Sequence, residues 1–75
     1  MPSHNDPVHL LDVVALTADL PDTGLSRGQV GVVVETLAPG VFEVEFCDDE
    51  GRAYAQLALE DSELLVLHYQ PRQAA

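Results

Sequence analysis

One stretch of this sequence decides its fold, Phe42-Glu43-Val44-Glu45-Phe46, in which apolar and acidic side chains alternate. Alternation with a period of two is typical of a β-strand that has one buried face and one face in water. The pattern therefore predicts that the two phenylalanines and the valine point into the core. The two glutamates are expected to point into solvent.

A hairpin is predicted directly after this strand. The connection reads Asp48-Asp49-Glu50-Gly51, and its glycine suits the left-handed position of a type I turn followed by a bulge. The next strand is predicted over residues 52–59, with residues 53, 55, 57 and 59 on one face. Residues 54, 56 and 58 should then lie on the other face, because successive side chains of a strand alternate.

Three further strands are expected, at residues 10–17, 29–37 and 64–68, where Val and Leu are frequent and Gly, Pro and Asp interrupt the runs. A long polar loop, residues 18–28, separates the first two. Val30, Val32 and Val34 share one face of the second strand. Gly31 lies on the opposite face, where a glycine indicates a bulge or a close backbone approach.

Residues 60–63 are long enough for one turn of 3₁₀ helix. Ser62 could instead cap a helix over residues 60–68, but Pro71 leaves little length for it, so a strand is favoured. The resulting order predicts an all-β fold, a small five-stranded SH3-like barrel with a long first loop and a 3₁₀ turn before the last strand. The barrel is expected over residues 10–69, between a flexible N-terminal tail, residues 1–9, and a frayed C-terminal tail, residues 70–75.

The chain also carries a family resemblance, in the segments Leu16…Asp19-Leu20-Pro21…Gly24-Leu25…Gly28…Gly31…Val33-Val34-Glu35, Phe42-Glu43-Val44-Glu45-Phe46 and Asp49…Gly51-Arg52…Tyr54-Ala55. Through them, over about residues 10–67, it resembles a small bacterial family of uncharacterised proteins, catalogued as domain of unknown function 4926. The resemblance implies an SH3-like fold and supplies no catalytic residue. Members of that family often appear encoded beside other small proteins, which implies a paired system such as toxin and antitoxin.

Charge is the strongest compositional signal, because three basic residues stand against thirteen acidic ones and give a net charge of −10. Such a surface repels nucleic-acid phosphates and anionic lipid head groups, whose binding depends on Lys and Arg. No nucleic-acid or membrane partner is therefore expected. The charge favours a basic protein partner, although solubility alone is an alternative explanation.

The predicted docking surface is acidic. It consists of three strand glutamates, the acids of the hairpin turn and one tyrosine: Glu35, Glu43, Glu45, Asp48, Asp49, Glu50 and Tyr54. We expect a non-catalytic, acidic protein-binding module that docks a basic partner, and an adjacently encoded protein is one candidate. Two alternatives stay open, an antitoxin or immunity protein that neutralises a neighbouring toxin and a small accessory subunit of a larger enzyme. A homo-oligomer, formed through an edge strand or through residues 64–67, also stays open.

Enzymatic and cofactor-dependent functions are not expected. The acidic hairpin lacks the spaced ligands and flanking helices of a calcium loop. His9 and His68 are predicted at the ends of the first and last strands, but a third metal ligand is missing. One metal hypothesis concerns His4: after loss of Met1, the segment Pro2-Ser3-His4 could bind Cu(II) or Ni(II) through nitrogens.

Cys47 is the only cysteine, so an intrachain disulfide cannot form. The acids that follow it should disfavour its thiolate, and we expect a partly buried, inert residue. A polyproline-binding groove is not expected, since the chain has no Trp and offers only Tyr54 and Tyr69 as exposed aromatics. The first residues lack a basic and an apolar stretch, and no apolar run could cross a membrane, so the cytoplasm is the expected location.

Overall fold

The computed structural model describes residues 7–69, and every regular element in that range is a β-strand or a single 3₁₀ turn. The strands are β1 Val13–Leu16, β2 Val30–Ala38, β3 Val41–Cys47, β4 Ala53–Glu60 and β5 Leu64–Val66. The 3₁₀ turns are Pro21–Thr23 and Asp61–Glu63. The all-β prediction is confirmed, and the helical alternative for residues 60–68 is excluded because β5 lies within it.

The five strands form one antiparallel sheet in the order β4-β3-β2-β1-β5. The last strand returns to pair with the first, so β1 lies between β2 and β5. The two outer strands, β4 and β5, are not paired with each other within residues 7–69. The described sheet is therefore open between β4 and β5.

The core lies on one face of this sheet. Phe42, Val44 and Phe46 of β3 are buried, as the alternation predicts, while Glu43 and Glu45 lie half-buried on the opposite face. The nine buried members of the core cluster come from all five strands and from the first loop: Val14, Leu16, Leu25, Val33, Phe42, Val44, Phe46, Leu59 and Leu64. Each fully buried Val, Leu or Phe contributes about 1.5–3 kcal/mol relative to an exposed one, so these few side chains dominate stability.

Gly31 gives the core its tightest contact. It pairs with Phe46, and a Cβ built on Gly31 would lie 2.8 Å from the Glu45 carbonyl oxygen, 2.8 Å from Val44 Cγ1 and 3.0 Å from Phe46 Cδ2. Real Cβ atoms do not approach a backbone oxygen so closely, so only glycine fits. The prediction of a close backbone approach at this residue is confirmed.

The first strand is shorter than the residues 10–17 predicted for it. Leu11 has a left-handed backbone, with φ 71°, and this conformation ends the strand on its N-terminal side. A local turn holds it, in which the Asp12 carboxylate accepts the His9 backbone N–H at 2.8 Å. Val8, assigned to the N-terminal tail by the sequence, packs half-buried against the core. Tail residues 1–6 and 70–75 lie outside the described part of the chain.

The long first loop is more ordered than its polar composition suggests. The backbone N–H of Leu20 donates to the Leu25 carbonyl at 2.9 Å, and the Asp19 carboxylate accepts the Arg27 backbone N–H at 2.9 Å. These bonds fold the loop back on itself and place Leu25 in the core, where it is 5% exposed. The sequence analysis did not assign Leu25 to the core.

The second 3₁₀ turn carries the chain from one outer strand to the other. Its capping box satisfies backbone donors at the turn, since the Glu60 N–H donates to the Glu63 carboxylate at 2.9 Å. The Thr17 backbone N–H donates to the Glu63 carbonyl at 3.0 Å. This bond ties the turn to the end of β1 and so places β5 beside β1.

Replacing Leu25 with Ala should lower the free energy of unfolding by about 2–4 kcal/mol, because the change deletes buried methyl groups and leaves a cavity. Leu37→Ala is the matched control, since Leu37 lies on β2 but is 46% exposed and should cost less than about 1 kcal/mol. Urea unfolding followed by circular dichroism measures both. Equal losses for the two variants would show that the first loop does not pack into the core.

Candidate docking face

The acids of β2 and β3 lie on the sheet face opposite the core. Glu43 and Glu45 alternate with the buried residues of β3, and Glu35 of β2 pairs directly with Glu43. We call Glu35, Glu43 and Glu45 the acidic strip. A register shift between Val33 and Glu35 produces this pairing. Because simple alternation from the buried Val33 would turn residue 35 toward the core, the shift is what brings Glu35 onto the outer face.

The acidic strip is costly for the fold. Like charges directly opposite each other on neighbouring strands destabilise a sheet. The ion pairs described within residues 7–69 join Asp12 to His9 and Asp48 and Glu50 to Arg52, and none of them includes a member of the strip. The strip therefore presents three carboxylates without a described ion-pair partner in the same molecule.

The acids of the hairpin turn are differently placed. Asp48 organises the turn, since its Oδ1 accepts the backbone N–H groups of Glu50 and Arg52, both at 2.9 Å. The Arg52 guanidinium lies 2.7 Å from the Glu50 carboxylate and 3.4 Å from that of Asp48. Asp48 and Glu50 are thus partly neutralised by Arg52, and Asp49 is the exposed acid of the turn without a described ion pair. Gly51 has φ 83°, the left-handed conformation predicted for it.

Tyr54 contacts the core side of the hairpin. Its ring lies 6.5 Å, centroid to centroid, from that of the buried Phe46, and its hydroxyl accepts a hydrogen bond from Gln29 Nε2 at 2.9 Å. A bulge at the pairing of Cys47 with Ala53 makes Tyr54 the extra residue of β4 and reorients it. Tyr54 thus lies beside Phe46 and Gln29 and is 49% exposed, so it keeps an accessible surface, as predicted for an exposed aromatic.

Cys47 is half-buried at the end of β3, and its Sγ lies 3.9 Å from the Glu45 carboxylate. Desolvation raises the pKa of the Cys47 thiol, and the charge and hydrogen bond of Glu45 and the charge of Asp48 raise it further. The prediction of a disfavoured thiolate is confirmed. Glu45 is the largest electrostatic cause of the raised pKa of Cys47, whereas the sequence pointed only to the acids of the turn.

The histidines do not form a metal site in the described structure. β1 pairs with β5, but the His9 backbone N–H donates to the Asp12 carboxylate, and no group of three or more His, Cys, Asp or Glu residues suited to hold a metal occurs within residues 7–69. His4, proposed for Cu(II) or Ni(II), lies outside the described residues. The acidic turn is a hairpin connection, as predicted.

Apolar side chains continue the same outer face beyond the acidic strip, and they were not among the predicted site residues. Ala15 of β1 lies between Val30 and Leu65 of the neighbouring strands, and Val13 pairs with Val32. We call these five residues the apolar half. Val30 is 46% exposed and Leu65 is 40% exposed. The shared face of the valines on β2 was a signal for this surface, but the sequence did not show which face the core would use.

An open apolar groove lies elsewhere, between the first 3₁₀ turn and the outer strand β4. Its volume is about 320 Å³, and it is lined by Leu20, Pro21, Asp22, Thr23, Leu57, Ala58 and Leu59. None of the predicted site residues lines it. β4, which forms one wall of the groove, is an outer strand of the described sheet.

Fold and surface together define a small all-β domain with a mixed acidic and apolar outer face. A family model described as Domain of unknown function (DUF4926) matches residues 10–66, and the chain belongs to this family. No curated protein and no solved structure matches the chain. Across residues 7–69, none of the helical segments has the length and apolarity needed to cross a membrane.

Glu43→Lys should raise the free energy of unfolding by about 0.5–1 kcal/mol, because it replaces a like-charge pair with an attractive Glu35–Lys pair. Asp22→Lys is the control, since it makes the same charge change in an exposed 3₁₀ turn away from β3. Urea unfolding at low salt measures the difference, which should shrink at high salt through screening. An equal gain in both variants would assign the effect to net charge and not to the pair.

Glu45→Gln should speed alkylation of Cys47 by iodoacetamide at about pH 8, because removing the adjacent negative charge lowers the thiol pKa and increases the thiolate fraction. Glu35→Gln removes the same charge from the same face but is not among the causes of the raised pKa, so its rate should match wild type. Mass spectrometry of timed samples gives the rates. Identical rates in all three proteins would contradict the assignment.

Proposed function

We propose that this chain is a non-catalytic binding module with an SH3-like barrel fold, which docks a basic protein through its acidic outer face. The observation that carries the proposal is the direct opposition of Glu35 and Glu43, with Glu45 beside them, on an open sheet face. A basic partner would relieve the repulsion between these acids on binding. Charge complementarity of this kind also raises the rate of association.

The strand order supports the SH3-like part of the proposal. β5 returns to pair with β1, a long folded loop joins β1 to β2, and a 3₁₀ turn directly precedes β5. In such a barrel the outer strands approach each other across the groove side and reduce the exposed edges of a small sheet. The described sheet lacks that closing contact within residues 7–69, so the barrel remains part of the proposal.

Two features support a binding role over a catalytic one. Cys47 is the chain's only thiol, and its raised pKa disfavours the thiolate that a nucleophile needs. The clustered carboxylates lie on an open face and not in the apolar groove beside β4. The proposal includes a cytoplasmic location.

The double substitution Glu43→Lys and Glu45→Lys should abolish capture of the partner by tagged protein from native lysate. Wild type should capture the partner at low salt and lose it at high salt, because exposed charges are screened. Asp22→Lys with Asp61→Lys is the matched control. It changes the net charge by the same amount at exposed 3₁₀ residues and should capture the partner as wild type does.

The two double variants distinguish binding through the acidic strip from an effect of net charge. Loss of capture in both double variants would assign binding to net charge and not to the strip. Retained capture in the Glu43 and Glu45 variant would refute the proposal. If the strip is required, the captured protein distinguishes the forms of the function: a neighbouring toxic enzyme indicates an antitoxin, and a large enzyme in fixed ratio indicates an accessory subunit.

A further inference from the structure

The apolar half and the acidic strip form one continuous surface. The apolar half lies on β5, β1 and β2, and the strip begins on β2 and continues on β3, the next strand in the sheet. Val32 joins them directly, since it pairs with Val13 on one side and with Glu45 on the other. The outer face therefore changes from apolar to acidic across neighbouring strands, with no core element covering it in the described structure.

We propose that this outer face recognises one amphipathic, basic protein segment, whose apolar side chains pack on β5, β1 and β2 while its Lys or Arg side chains reach the acidic strip. The inference rests on the proposed function and deepens it, because it names the kind of segment bound and adds the apolar half to the site. Apolar anchors surrounded by complementary charge are the arrangement that gives protein interfaces most of their binding energy.

Two members of the apolar half, Val30 and Leu65, are exposed, and this supports the role. Val30 and Leu65 flank the small Ala15, which is 8% exposed, so two branched side chains stand on either side of a low point between them. Such a ridge-and-groove shape can accept an apolar side chain from a partner. An apolar patch bordered by charge is a recurrent mark of an interaction site in small proteins.

Leu11 provides an independent observation at the border of this face. It holds a left-handed backbone at φ 71° and yet is 70% exposed. This conformation is strained for a leucine, whereas Gly or Asn adopts it readily. Its backbone N–H donates to the Val33 carbonyl at 2.7 Å, so the residue lies beside β2 next to the apolar half. Backbone strain that keeps a large apolar side chain in solvent points to contact with a partner.

Charge selects a basic partner over a second copy of this chain. The chain carries a net charge of −10, and two copies joined through this face would bring their acidic strips within a few strand widths of each other. Like charges brought together at an interface oppose association. A segment with Lys or Arg beside its apolar residues would instead bring positive charges to the acidic strip and attract it.

Photo-cross-linking tests the proposal with the full chain. Benzoylphenylalanine is placed singly at Leu65, at Glu43 and, as a control, at Asp22, and the tagged proteins are irradiated in native lysate. Mass spectrometry identifies the captured segment. We expect the first two positions to capture the same segment of one protein, apolar where it meets residue 65 and basic where it meets residue 43, and the control not to capture it.

A synthetic peptide of the captured segment then gives affinities. Val30→Ser with Leu65→Ser should weaken peptide binding at least about tenfold without changing its salt dependence. Loss of each central apolar contact should lower the affinity several-fold, and neither substitution changes a charge. Leu37→Ser is the control, because Leu37 matches Val30 in exposure but lies near the far end of β2, and its affinity should be unchanged.

The remaining outcomes separate this inference from the proposed function. Capture of a second copy of this chain through residue 65, or of a segment lacking basic residues, would overturn the inference. Capture of a basic partner through residue 43 alone, with unchanged affinity in the serine variants, would overturn it while leaving the proposed function intact. No basic partner through residue 43 would overturn both.

Discussion

The contact of Phe46 with Gly31 is the constraint on which the rest of this structure depends. Phe46 is fully buried, and it fits against β2 only because the residue opposite it has no Cβ. This approach sets the register of β2 on β3, and the same strand, β3, sets the register of β4. In a chain of 75 residues the core is small, so one well-packed aromatic ring carries a large share of the stability.

A thin core has consequences for the opposite face of the sheet. Because the core uses the Gly31 and Val33 side of β2, Val30 and Val32 of that strand face outward. They join the outward residues of β1 and β5 in an apolar surface that continues into the acidic strip. Separating the acids would remove the repulsion between like charges, so the fold itself does not require this arrangement, and the proposed recognition role rests on that.

Much of the fold could be predicted from local patterns. The alternation in β3, the glycine of the hairpin turn and the 3₁₀ turn before β5 each depend on neighbouring residues only, and all three are confirmed. The site was predicted less completely. The outward positions of Glu43 and Glu45 follow from the alternation in β3. The position of Glu35 depends on a register shift between β2 and β3, and that of Tyr54 on a bulge between β3 and β4, and alternation within one strand predicts neither.

The sequence by itself determined the class of the fold, the strand that organises it and the acidic character of the surface, because period-two patterning, turn chemistry and net charge are local or additive properties. Tertiary structure alone decided which face of β2 enters the core, that Leu25 returns from the first loop to be buried, and that Glu35 stands opposite Glu43. These are outcomes of pairing between distant segments. A shift of one residue in such pairing turns a side chain to the other face of the sheet, and no short stretch of sequence specifies it.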